Sequence, residues 1–424
     1  MEKIALLFPG QGSQYVGMGK SFYDQYSIAK QTYEEASDVA GVDLAKLCFE
    51  GSLSELNQNE NMQPALLATN VAAFRVYMEE VGIRPQFCAG HSMGEYSALV
   101  CSGAMTFSDA VRITKLRGAM MQIHIDRGTG SMTIMDGIDA SIVEQLCEQY
   151  SGEQGVAVVS CYNSPTQAAV SGHQYVLEEI EAAVLDADGQ VTPLMSSAPI
   201  HSSLMAEDAE RLGQELAKYS YNMFKWPVLS NVTGQPYGDV ERIPGLLTDQ
   251  MVKPVQWTRI LQYLERFGVT LAIEMGPKNV LNKLTKTNCP DINSLCFGEK
   301  AERQKLISMF QSDGKKKKGV PTVITKCLAI AVATPNQNWD EAEYQQGVVQ
   351  RYKRIQAIQE QAENSGDKPS KEQMIEALEL LKGIFETKKL PVKERNQWMN
   401  HIIDDTGHHY ELAEYLVHEA VGVK

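Results

Sequence analysis

Phe87-Cys88-Ala89-Gly90-His91-Ser92-Met93-Gly94-Glu95-Tyr96 is the stretch on which the fold turns. Phe87 to Gly90 reads as a short apolar strand, and a helical pattern runs from Glu95 to Cys101. Between them Gly90-His91-Ser92-Met93-Gly94 has the form GxSxG, whose two glycines permit a strained turn that lifts a serine hydroxyl to the N-terminus of the next helix. There the helix dipole and free N–H groups can stabilise an oxyanion. The pentapeptide alone also fits a purely structural turn. An α/β-hydrolase esterase uses the same elbow and expects Ser, then Asp or Glu, then His along the chain.

Working outward, Ile4-Ala5-Leu6-Leu7-Phe8 is another continuous apolar run, closed by Pro9-Gly10, and reads as a buried strand. Val228-Leu229-Ser230 and Leu271-Ala272-Ile273-Glu274 read as further short strands. Between about 130 and 197 the pattern changes. Ser131 to Met135, Val156 to Val159 and Gln167 to Ser171 are strand-like, while Ile142 to Tyr150 and Val176 to Leu185 are helical. The expected fold class is therefore α/β, a hydrolase-like parallel-sheet core with an inserted small ferredoxin-like α+β subdomain. Ser312-Asp313-Gly314 and Lys315 to Lys318 have linker chemistry. Beyond them Tyr344, Val348, Tyr352 and Ile355 keep a helical spacing, and Ser370 with Gln373 forms a capping box opening a helix through Phe385. The domains expected are residues 1–312, with the insertion at 130–197, and a mainly helical extension at 313–424.

A length of 424 residues favours more than one unit, and 43% hydrophobic with 22% charged residues is the balance of a globular chain that folds in water. A formal net charge of −14 argues against nucleic acid or an anionic membrane as partner. No signal-peptide pattern and no apolar run of about 18 residues is evident, so a cytoplasmic location is expected. The eight cysteines show no CxxC spacing and read as reduced, packed thiols.

Several further motifs stand in order along the chain: Phe8-Pro9-Gly10-Gln11-Gly12-Ser13-Gln14, Gln63-Pro64-Ala65, Arg117-Gly118, Pro199-Ile200-His201-Ser202-Ser203, Asn231-Val232-Thr233-Gly234, Gln250 with Pro254-Val255-Gln256-Trp257, and Glu274-Met275-Gly276-Pro277. With the serine elbow they resemble the malonyl transacylases of fatty-acid and polyketide synthesis, over roughly residues 1 to 310. A dinucleotide loop is excluded at the first of them, because GxGxxG would need a glycine where Tyr15 stands.

The resemblance implies transfer of malonyl from coenzyme A to the phosphopantetheine thiol of an acyl carrier protein, with no metal or cofactor and a monomeric enzyme. It makes Ser92 the nucleophile and His201 its base, as a serine hydroxyl needs a group titrating near neutrality to take its proton. A backbone carbonyl near Gln250 would hold the imidazole. Arg117 becomes the clamp for the malonyl carboxylate, which a planar guanidinium can bind through two hydrogen bonds. The N–H groups of Gln11 and Met93 would form the oxyanion hole, with Gln63 and Asn163 near the pocket. Where relatives often have Asn-Phe-Asn, this chain has Cys161-Tyr162-Asn163. The tail, through Thr325 to Ala329 and Val332 to Pro335, resembles extensions of discrete acyltransferases that serve polyketide assembly lines. Two other functions fit parts of the pattern, an acyl hydrolase that clears stalled chains and a non-catalytic carrier-docking scaffold. In the tail, His401, Asp404, Asp405, His408 and His409 read as a solvated helix end rather than a metal site.

Overall fold

A computed structural model describes residues 2–194, 197–311, 322–365, 369–406, 408, 412 and 415. Its strands are β1 (Ile4–Phe8), β2 (Phe87–Gly90), β3 (Ser131–Asp136), β4 (Ala157–Ser164), β5 (Gln167–Gly172), β6 (Gln190–Leu194), β7 (Val228–Leu229), β8 (Leu271–Glu274) and β9 (Asn293–Cys296). All five residues of β1 are buried. That suits the middle strand of a sheet covered on both faces. The main sheet has the order β7-β2-β1-β8-β9, and every pairing in it is parallel. Parallel strands end together, so β1 and β2 deliver Pro9-Gly10 and the serine turn to one edge of the sheet, with Phe8 opposite Gly90.

The inserted subdomain runs strand, helix (Ala140–Tyr150), strand, strand, helix (Gln174–Asp186), strand. Its sheet has the order β4-β5-β3-β6 with antiparallel pairings, the ferredoxin-like arrangement. β6 is not apparent in the sequence, because Pro193 interrupts it and its residues are half-buried or exposed. It pairs only with β3, and proline is tolerated on such an edge. Bulges in β4 break its register between Val159 and Cys161 and again between Tyr162 and Ser164. At this point Val255 N–H donates to the Ser160 carbonyl and Tyr162 N–H to the Val255 carbonyl, both at 2.9 Å. The insertion is thereby tied to the segment that follows Gln250.

The chain divides into two compact units, Met1–Phe310 and Gln311–Lys424. The second has its own apolar core, with Cys327, Ile355, Leu378, Leu381, Ile384, Phe385 and Ile402 among its buried members. Its helices include Val323–Ala333, Gln350–Ser365, Lys371–Thr387 and Val392–Thr406, and Ser370 with Gln373 closes the capping box at the third. The linker stretch Ser312 to Lys318 lies outside the described residues. So do His409 and the side chain of Asp404. His401 pairs with Asp405 at 3.2 Å, and Asp405 also meets Lys326. All eight cysteines are buried free thiols. Among the described residues no helix is long and apolar enough to cross a membrane.

Candidate active site

The turn after β2 owes its shape to close backbone approaches. A Cβ at Gly90 would lie 1.9 Å from the Gly94 carbonyl oxygen, and one at Gly94 would lie 2.0 Å from that of Phe8. Only glycine fits at either position. Between them Ser92 sits at φ 51°, in the left-handed region that a residue with a side chain enters at a cost. That conformation is held by Ser92 N–H donating to Asn231 Oδ1 at 2.7 Å, while Asn231 Nδ2 donates to the Gly90 carbonyl at 2.6 Å. Glu95 N–H in turn donates to the Ser92 carbonyl at 3.0 Å and opens the elbow helix Gly94–Cys101.

His201 comes from the other side, also at positive φ (62°). Its N–H donates to the Met251 carbonyl at 2.8 Å, and the preceding Ile200 carbonyl accepts from Ser171 Oγ of β5 at 2.6 Å. Its Nε2 lies 2.8 Å from Ser92 Oγ, and its Nδ1 lies 2.5 Å from the Gln250 main-chain carbonyl. A carbonyl can only accept, so Nδ1 carries the proton and Nε2 is left free to receive one from the hydroxyl. Burial, reinforced by the Arg117 charge, pushes the imidazole down to about 3. It is therefore neutral at physiological pH.

Arg117 projects from the helix Phe107–Arg127, which packs closely on Asn59–Glu80 because Gly118 has no side chain. A Cβ there would lie 2.1 Å from the Asn59 carbonyl oxygen. Arg117 is 1% exposed. Nη1 donates to Gln63 Oε1 at 2.8 Å and also lies 3.6 Å from Met121 Sδ. Nη2 donates to Gln250 Oε1 and Ser92 Oγ, each at 3.3 Å, and Nε has no partner. None of these partners is a carboxylate. Among the described residues the guanidinium hydrogen-bonds only uncharged groups, with the Glu95 carboxyl acting on it through space, so its fork is free to donate hydrogen bonds to an anion.

Gln250 therefore touches three functional groups. Its main chain holds His201, its amide oxygen faces Arg117, and its Nε2 donates to the Ser92 carbonyl at 3.1 Å and to Glu95 Oε2 at 2.5 Å. Glu95 is fully buried, and Oε1 accepts from Tyr237 Oη at 2.6 Å and Asn231 N–H at 3.1 Å. Burial pushes its carboxyl up to about 7 against those hydrogen bonds, which favour the anion. Sequence reading assigned no role to Glu95, Asn231 or Tyr237. The first two lie inside the quoted motifs, but their contacts bridge 136 and more positions and leave no local pattern.

Gln11 and Met93 follow the ends of β1 and β2. A Cβ at Gly10 would lie 2.4 Å from the His91 carbonyl oxygen and 3.5 Å from Met93 N, so the two turns are in contact. Among the described residues neither Gln11 N–H nor Met93 N–H has a hydrogen-bond acceptor. Among the described residues no hydrogen bond links Asn163 to Ser92, His201 or Arg117. Its Oδ1 lies 2.8 Å from His91 Nε2, while the His91 ring packs on Trp257 with centroids 5.3 Å apart. His124, outside the site, pairs with Asp208 at 2.6 Å.

The family described as "Acyl transferase domain" matches residues 5–332. The malonyl CoA-acyl carrier protein transacylase of Bacillus subtilis is 36% identical over 399 residues, covering 93% of this chain and 99% of that protein. Its match thus runs well into the second unit. The protein of the same name from Escherichia coli (strain K12) is 41% identical over 287 residues, 68% of this chain and 93% of its own. Among solved structures, a malonyl-transacylase in complex with its type II PKS acyl-carrier protein superposes with a TM-score of 0.70 at 35% identity, covering 73% of this chain and 100% of that one. With the elbow and the buried histidine and arginine around it, these matches show that the chain belongs to the acyl transferase domain family, among the malonyl CoA-acyl carrier protein transacylases.

Proposed function

We propose that this chain moves a malonyl group from coenzyme A to the phosphopantetheine thiol of an acyl carrier protein by way of an ester on Ser92. The observation that carries this reading is the buried Arg117 guanidinium, which among the described residues hydrogen-bonds no carboxylate and stands 3.3 Å from the Ser92 hydroxyl. His201 Nε2 takes the Ser92 Oγ proton as Oγ bonds to the thioester carbonyl carbon. The resulting oxyanion is received by the N–H groups of Gln11 and Met93. When it collapses, the C–S bond breaks and His201 returns its proton to the leaving thiolate, so coenzyme A departs as a thiol. The carrier's thiol then gives its proton to His201 and attacks the ester carbonyl, and Ser92 Oγ recovers the proton as it leaves. Arg117 holds the malonyl carboxylate through both steps, backed by Gln63 and Gln250.

Asn163 acts through His91, lining the elbow. No metal or cofactor has a part in this scheme. The catalytic work belongs to residues 1–312, and residues 313–424 serve the enzyme's encounter with its carrier proteins, in a fatty-acid or polyketide assembly line of the cytoplasm. The relatives' printed names, and the carrier protein bound in one of their structures, support the transfer of malonyl to a carrier. The test is to load the enzyme with radiolabelled malonyl-CoA, remove free coenzyme A, and add phosphopantetheinylated carrier protein. Label should pass to the carrier with release of unlabelled enzyme. Release of free malonate instead would identify a hydrolase.

A further inference from the structure

The role just given to Arg117 leaves open what aims it. Its Nη2 meets Gln250 Oε1 at 3.3 Å, so the guanidinium is placed partly by a side-chain amide that could face either way. On the Nε2 side of that amide lie two acceptors, the Ser92 carbonyl at 3.1 Å and Glu95 Oε2 at 2.5 Å. On the Oε1 side lies a donor, the guanidinium. Reversing the amide would set its oxygen against two oxygens and its NH2 against an N–H group, three unfavourable contacts around a buried side chain. Glu95 is held in turn by Tyr237 Oη and Asn231 N–H on its other oxygen.

We propose that Glu95 is a positioning residue for substrate selection: by accepting from Gln250 Nε2 it fixes the amide so that Gln250 Oε1 faces Arg117 and aims the guanidinium at the acyl group's carboxylate. The proposal rests on the reading of Arg117 as the carboxylate clamp. Glutamine at position 95 has the same shape but must turn an NH2 toward groups that donate to the carboxylate, Ser230 among them. Facing Gln250, it reverses that amide and sets a donor against Arg117. Facing Asn231, it opposes the main-chain N–H of the residue whose side chain holds Ser92.

The experiment measures single-turnover acylation of Ser92 by malonyl-CoA and by acetyl-CoA in the full-length wild type, Glu95→Gln, Tyr237→Phe and Arg117→Ala. For Glu95→Gln the second-order rate with malonyl-CoA should fall about 10- to 100-fold, the scale of a lost hydrogen bond to a charged group, chiefly through a weaker apparent affinity. Acylation by acetyl-CoA should change much less. Tyr237→Phe removes a donor from Glu95 Oε1 but leaves the contact with Gln250, so it should keep the wild-type preference. Equal losses with both substrates in Glu95→Gln, or the same loss of preference in Tyr237→Phe, would show a merely structural role and overturn the proposal. If Glu95→Gln is insoluble, Glu95→Asp carries the same test, since its shorter side chain withdraws from Gln250; an unchanged preference there overturns it too. A wild type that selects malonyl, an Arg117→Ala that does not, and a Glu95→Gln that selects like wild type would sink the role of Glu95 alone. A wild type that does not discriminate would sink the clamp and this proposal together.

Discussion

Replacing Arg117 with alanine removes the cation placed against the Ser92 hydroxyl, and the structure sets the size of the effect. Arg117 is 1% exposed and its guanidinium reaches Ser92 Oγ at 3.3 Å, so a malonyl carboxylate held by it is taken out of water. Breaking a buried pair by deleting one partner costs about 3–5 kcal/mol, roughly 150- to 5,000-fold in second-order rate. The deletion has other consequences. Gln63 Oε1 and Gln250 Oε1 each lose a donor, and His201 loses one of the charges that lower its pKa. Those changes apply whichever substrate is bound. The informative quantity is therefore the ratio of kcat/KM for malonyl-CoA to that for acetyl-CoA, in which they cancel. Arg117→Ala should lower the ratio by the factor above, measured as coenzyme A release in the first half-reaction. Equal losses for the two substrates would refute the clamp and make Arg117 a packing residue.

His201→Ala should slow acylation by about 10²–10⁴-fold with the fold retained, the value of a positioned general base, and a near-parent single-turnover rate would contradict the pairing with Ser92. The same histidine links stability to pH. Burial and Arg117 hold it at about 3 instead of 6.5, so below 6.5 the unfolded chain binds a proton that the folded chain refuses, and stability present above pH 6.5 is lost as the pH falls toward 3. In urea unfolding, His201→Gln should reduce the loss between pH 6.5 and 5 by about 1–2 kcal/mol, and an unchanged slope would show that His201 is not held neutral. Truncation after Lys315 should leave self-malonylation intact and slow transfer to cognate carriers, because every residue of the proposed chemistry precedes it. A soluble truncation that loads carriers at the parent rate would remove the extension from that role.

What was legible in the sequence is what short-range chemistry dictates. Apolar runs with turn residues behind them mark β1 and β2, and the glycines of the elbow reflect backbone approaches that no side chain survives. The capping box at Ser370 is read from two residues three apart. Contacts closed by the tertiary fold are not written that way. Glu95 has the look of a solvated carboxylate in the first turn of a helix, yet it is buried under Tyr237 and Asn231, each more than a hundred positions away. β6 lacks the alternating pattern of a half-buried strand because it is an edge and carries Pro193. Arg117 on a helix would ordinarily face water. Its burial depends on Gly118 letting two long helices close, which a sequence pattern shows only as a dipeptide.

The central claim, that Ser92 carries malonyl because Arg117 selects its carboxylate, is tested most directly by the intact mass of the protein after mixing with malonyl-CoA and, separately, with acetyl-CoA. A single malonyl adduct that forms in wild type, is absent from Ser92→Ala, and greatly exceeds any acetyl adduct is the expected result. An acetyl adduct formed as readily as the malonyl one, or a malonyl adduct that persists in Ser92→Ala, would contradict it.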